Sequence, residues 1–156
     1  MKQTKTIALV AHDNRKKDMV EWVEWNWRKL LNHKLICTGT TGRLVEAALI
    51  RMHKEEAKKH IFIKRLKSGP LGGDQQLGAM IAEGNIDILI FLWDPMQAQP
   101  HDVDVKALLR LASVYNIPTA TNRATADFII GSPLLDEVYI PKLIDYEDYI
   151  NREVDS

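Results

Sequence analysis

Short apolar runs alternate along this chain with longer stretches whose apolar residues recur at helical spacing. Ile7-Ala8-Leu9-Val10-Ala11 is continuously apolar, the pattern of a strand buried on both faces. From Asn14 to Asn32 the residues Met19, Val20, Val23, Trp27, Leu30 and Leu31 share one helical face. Trp22 and Trp25 fall off that stripe, which leaves a subunit contact and partial core packing both open. Leu35-Ile36-Cys37 predicts a second strand. A helix follows Gly42, with Leu44, Val45, Ala48 and Leu49 apolar, and the polar residues 51–60 extend it or form a surface loop. Ile61-Phe62-Ile63 predicts a third strand, Gln75 to Glu83 a helix stopped by Gly84, and Ile86 to Trp93 the central strand. Val105–Tyr115 and Ala124–Ile130 read as helices around a short strand at Ile117–Ala120, and Ile144–Ile150 as a final helix. No repeat or linker interrupts the pattern, so residues 1–156 read as one domain. The alternation predicts the α/β class: a single three-layer domain with a mainly parallel sheet and helices on both faces.

Composition narrows the function without naming it. The chain carries 21 Lys and Arg against 21 Asp and Glu, so the basic excess expected of a nucleic-acid binder is missing. The one basic cluster, Lys58-Lys59-His60 to Lys64-Arg65-Lys67, follows Glu55 and Glu56 and reads as solvated surface. Cys37 is the only cysteine; in its apolar run it reads as a buried small hydrophobe. The N-terminal residues lack a signal-peptide pattern, and no segment is long enough to span a bilayer. A cytoplasmic protein with no membrane partner is expected.

The polar motifs follow the strands. In an open parallel sheet, ligands bind beyond the carboxyl ends of the strands. His12-Asp13-Asn14-Arg15-Lys16 follows the first strand, and Thr38-Gly39-Thr40-Thr41-Gly42 the second. Ser68-Gly69-Pro70-Leu71-Gly72-Gly73-Asp74 follows the third. Asp94-Pro95 and Pro100-His101-Asp102-Val103-Asp104 follow the fourth, and Thr121-Asn122-Arg123 the last. One edge therefore gathers histidines, carboxylates, hydroxyls and glycines.

The threonine-rich run suits a phosphate: glycines permit close backbone approach, hydroxyls donate, and a helix N-terminus adds positive potential. It is neither a Walker loop nor a dinucleotide fingerprint. Lys16, one turn beyond His12, supplies a formal charge to the same anion. Each feature has a plainer reading when taken alone. Thr40 or Thr41, Asp74 and Asp104 are ordinary helix caps, His101 an exposed loop histidine, Asp94 a turn former and Lys16 a surface lysine. Asp87, inside a strand pattern, receives no role. His12, Asp94, His101, Asp102 and Asp104 are metal-ligating types, but their spacing matches no metal signature, so no metal is expected.

Together, the Ile7–Asp13, Thr38–Gly42, Ser68–Gln76, Phe91–Pro95, Pro100–Arg110 and Asn116–Asn122 segments resemble the bacterial methylglyoxal synthases. The resemblance runs from Ile7 to about Pro133. It implies a homohexamer of Rossmann-like subunits, dihydroxyacetone phosphate as substrate, no cofactor, and inorganic phosphate as product and inhibitor. It makes Asp74 the base. His101 contacts the substrate oxygens and moves protons, and Asp94 and Asp104 belong to the same polar cluster. His12, Lys16, Thr38, Gly39, Thr40, Thr41, Ser68 and Gly69 fall at substrate- and phosphate-binding positions. The stretch between Gly42 and Ser68 reads as longer than the family's usual one. The rival expectation is a non-catalytic regulatory domain of the same fold that binds an anionic effector and needs no Asp74, His101 or Asp104.

Overall fold

The computed structural model describes residues 1–152, with the side chains of 54–60 left aside. Five parallel strands form one sheet in the order β3-β2-β1-β4-β5. They are β1 (Thr6–Ala11), β2 (Lys34–Cys37), β3 (Phe62–Arg65), β4 (Ile88–Leu92) and β5 (Thr119–Ala120). The helices are α1 (Lys16–Leu30), α2 (Gly39–His60), α3 (Gly73–Ala82), α4 (Asp102–Val114), α5 (Arg123–Gly131) and a single turn, α6 (Glu147–Ile150). The α/β class and the sheet expected from sequence are thus observed. None of the described helices is long and apolar enough to cross a membrane.

Strand alternation divides the core in two. Ile7, Leu9 and Ala11 of β1 and Ile88, Ile90 and Leu92 of β4 pack with Met19, Trp22 and Val23 of α1, Val45 and Leu49 of α2 and Ala126 of α5. Ala8 and Val10, with Leu89 and Phe91, face the other way onto Leu77 and Ile81 of α3 and Leu108 and Ala112 of α4. The β1–β4 register pairs Ile7 with Ile88 and Leu9 with Ile90, so residues facing one layer stay in that layer across strands. The chain winds outward from β1 to β3, then crosses to β4 on the other side of β1. Ligand crevices form at such a reversal.

Several local expectations change. α2 begins at Gly39 rather than after Gly42, because the Thr38 carbonyl already accepts the Gly42 N–H at 2.9 Å. Residues 51–60 continue that helix. Trp22 is 1% exposed and donates through Nε1 to Asp127 Oδ1 at 3.0 Å, whereas Trp25 is 85% exposed. Of the two tryptophans off the α1 stripe, one is therefore core and the other surface. Asp87 precedes β4, and its Oδ2 accepts the Thr6 N–H at 2.8 Å, which ties the start of β1 to its neighbour. The expected final helix reduces to one turn with no buried residue, since few apolar neighbours hold it.

Candidate active site

At the carboxyl edge a cavity of about 230 Å³ opens where β1 and β4 lie side by side. His12 and Lys16, Thr38, Thr40 and Thr41, Ser68 and Gly69, Asp74 and His101 all line it. Four separate loops thus converge on one space.

Asp74 sits in the first turn of α3. The cap position before that helix belongs to Gly72, whose φ of 98° is left-handed and suited to glycine. Asp74 is therefore free of capping duty. Its carboxylate is 3% exposed, and neither oxygen has a hydrogen-bond partner among the described residues. The His101 Nε2 stands 3.5 Å from Asp74 Oδ2. Burial pushes the Asp74 pKa up; the nearby His101 opposes this and the Asp104 charge adds to it. The result is a carboxylate more basic than one in water.

Gly69 explains how the two groups are approached. A Cβ built there would lie 2.9 Å from His101 Nε2 and 3.0 Å from Asp74 Oδ2. Only a glycine lets this backbone lie against both side chains. The threonine loop is joined to the same segment: the Gly39 N–H donates to the Lys67 carbonyl at 3.1 Å, and a Cβ on Gly39 would meet Ser68 N at 2.8 Å. Gly39 thus holds the two loops together without lining the cavity. Thr38 and Thr41 are buried, and Thr41 Oγ1 donates weakly to the Ala11 carbonyl at 3.4 Å. Thr40 is exposed at the α2 N-terminus.

His12 caps the end of β1. Its Nδ1 accepts the Asp94 N–H at 3.2 Å, and its ring stands edge-on to Phe91, with centroids 5.1 Å apart. With Nδ1 accepting, a neutral ring carries its proton on Nε2, which is buried without a partner among the described residues. Burial, followed by the nearby His101, lowers the His12 pKa, so the ring is neutral at neutral pH. The Lys16 ammonium pairs with the Asp13 carboxylate, and that hydrogen bond holds Asp13 below the usual carboxylate range.

Two expected site residues stand behind the cavity wall. Asp94 turns its carboxylate to Asn14 Nδ2 at 2.9 Å and to the Met96 N–H at 3.0 Å, and these bonds lower its pKa. Its backbone N–H, rather than its carboxylate, meets His12. Asp104 lines a groove on the far side of Asp74, between α3 and α4, and reaches the site through its charge. Pro70, inside the Ser68–Asp74 run, also lines the cavity, and so does Gln99, which no motif singled out. Gln99 lies just before Pro100-His101, and its N–H donates to Asp102 Oδ2 at 3.1 Å; its nearness to that motif was the only available signal. Asp13 lines the cavity too, inside a run already singled out.

An MGS-like domain model matches residues 18–121. The chain is 55% identical over 157 residues to a methylglyoxal synthase of Maridesulfovibrio salexigens, covering 99% of this chain and 100% of the relative. This chain belongs to the methylglyoxal synthase family. A Proteus mirabilis methylglyoxal synthase is likewise 55% identical, over 96% of this chain and 92% of its own. The crystal structure of methylglyoxal synthase from Elizabethkingia anophelis superposes with a TM-score of 0.87 at 51% identity, covering 99% of this chain and 95% of that one. The family resemblance seen in the sequence and the Rossmann-like fold it implied therefore both hold.

Proposed function

We propose that this chain is a carbon–oxygen lyase that converts dihydroxyacetone phosphate to methylglyoxal and inorganic phosphate through an enediolate, with Asp74 as the base. The observation that carries this reading is the buried Asp74 carboxylate, without a hydrogen-bond partner among the described residues, in the same cavity as the threonine loop and with His101 Nε2 at 3.5 Å.

The hydroxymethyl proton beside a ketone is acidic only if the enediolate is stabilised. A carboxylate in water, with a pKa of about 4, is a weak base; the burial of Asp74 makes it a stronger one. His101 Nε2 donates to the developing oxyanion, an electrostatic contribution of roughly 3 kcal/mol per donor in other enzymes. The phosphate rests on the α2 N-terminus, where Thr38 and Thr40 offer hydroxyls and Thr40 and Thr41 backbone N–H groups, with Lys16 as counter-charge and Ser68 and Gly69 as the opposite wall. Elimination requires the carbon–oxygen bond to phosphate roughly perpendicular to the enediolate plane, so that the π electrons expel the phosphate. Binding the phosphate in a loop separate from the Asp74–His101 pair sets that torsion. His12, neutral and fixed by the Asp94 N–H, offers Nε2–H as a further donor to the substrate. The resulting enol of methylglyoxal tautomerises without help from the protein.

Released phosphate fits the same loop, so it inhibits by occupying the substrate's anion site. The exposed apolar side chains Trp25 and Phe128 support self-association, and the family resemblance adds to the proposal six copies, a cytoplasmic setting and no cofactor. The test is phosphate release from dihydroxyacetone phosphate by purified protein, with and without added phosphate. Turnover that added phosphate suppresses is expected. Tight anion binding without turnover overturns the proposal and favours the regulatory-domain reading.

A further inference from the structure

At the opposite edge of the sheet, away from the cavity with Asp74, one charge is buried without a counter-charge. Lys5, just before β1, is 1% exposed. Its Nζ donates to the Lys2 carbonyl at 2.7 Å and to the Glu137 carbonyl. Both acceptors are neutral. No carboxylate among the described residues lies within ion-pair distance of this ammonium. An ammonium has three N–H donors, and two are accounted for. Carbonyl dipoles offset only part of the cost of taking a cation out of water when no anion accompanies it.

The same lysine forms part of the wall of a cavity of about 150 Å³. The rest of that wall is largely apolar: Ile88 at the start of β4, Ile129 of α5, Leu134 and Tyr139, with Ser132 beside them. The segment that closes it is tied down, since the Tyr139 N–H donates to the Met1 carbonyl at 3.3 Å and Glu137 accepts from Lys5. The Ser132 Oγ accepts the Leu134 N–H at 3.2 Å, which leaves its hydroxyl proton available. A small apolar space with one buried cation and one free hydroxyl matches a molecule with a short hydrocarbon body and one carboxylate.

We propose that this cavity binds a short-chain aliphatic monocarboxylate, with Lys5 as its counter-charge and Ile88, Ile129 and Leu134 around its hydrocarbon. The carboxylate accepts the third ammonium N–H and the Ser132 hydroxyl. The site lies on the amino edge of the sheet and is independent of the reading given to Asp74.

The test is a methyl NMR titration of the full-length protein with sodium butyrate at constant ionic strength, with 1-butanol as the uncharged control. Saturable shifts at Ile88, Ile129 and Leu134 are expected from butyrate and none from butanol. Lys5→Met removes the charge and should weaken binding by at least about tenfold, the equivalent of 1.4 kcal/mol. Lys5 also fastens the 132–139 segment, so Leu134→Phe serves as a second variant. It fills the hydrocarbon end, keeps the ammonium, and should weaken binding similarly. Asp74→Asn and added inorganic phosphate should leave butyrate binding unchanged. The proposal is overturned if shifts do not saturate, if butanol reproduces them, if they fall in the Asp74 cavity, or if the folded variants bind like the parent. Failure of butyrate because a second copy of the chain covers this edge overturns it equally.

Discussion

At the scale of single residues, the Asp74 carboxylate is held where its charge is unfavourable. Burial raises the Asp74 pKa, so the folded state binds its proton more tightly than the unfolded state does. Stability from this group is fully present below the ordinary carboxylate range and is lost as pH rises through the raised value. Asp74→Asn removes the buried charge and should raise stability at neutral pH, read by thermal unfolding against pH. A variant less stable than the parent would show that the carboxylate is compensated. The same shift places the acid limb of turnover above the usual carboxylate range, because only the ionised form removes a proton. His101→Gln should slow turnover on the order of a hundredfold, the cost of losing an oxyanion donor, with substrate affinity largely kept. An unchanged rate would remove His101 from the mechanism.

At the scale of elements, the site depends on how closely loops touch. Gly69 lies where a Cβ would meet His101 Nε2 at 2.9 Å and Asp74 Oδ2 at 3.0 Å. Gly69→Ala should push this pair apart and cut turnover by about a hundredfold, as an ångström of misplacement does. Its unfolding temperature should change little, since the displaced groups line a cavity. Steady-state kinetics beside a melting curve check both halves; a variant with normal turnover contradicts the close approach. Much of this was legible beforehand, because continuous apolar runs such as Ile7–Ala11 and Ile88–Leu92 mark doubly buried strands and put the polar motifs at their ends. Less was legible where tertiary contact decides. Trp22 breaks the helical stripe yet is core, because Asp127 of α5 satisfies its indole N–H. Asp94 and Asp104 looked like cavity residues from their motifs. Only the fold shows that Asp94 meets His12 through its backbone N–H, and that Asp104 stands near enough for its charge to raise the Asp74 pKa. Gln99 lines the cavity from a loop with no periodicity to mark it.

At the scale of the whole molecule, two buried histidines set the response to acid. His12 at the carboxyl edge and His33 at the amino edge both have pKa values lowered mainly by burial. Each contributes stability that is present above its ordinary pKa of about 6.5 and is lost as pH falls through the lowered value. The contribution of these two rings to the unfolding free energy should therefore drop below neutral pH, and His33→Gln should remove its share of that slope; a slope unchanged by the variant would assign it elsewhere. Exposed Trp25 and Phe128 belong to the same scale, and native mass spectrometry should find six copies rather than one. Purified protein and Asp74→Asn are each incubated with dihydroxyacetone phosphate in heavy water, and both deuterium at the hydroxymethyl carbon and free phosphate are followed. The parent should release phosphate, and the variant should lose both exchange and release by about a thousandfold or more, the contribution of a general base. A variant that still exchanges that proton would mean another group removes it.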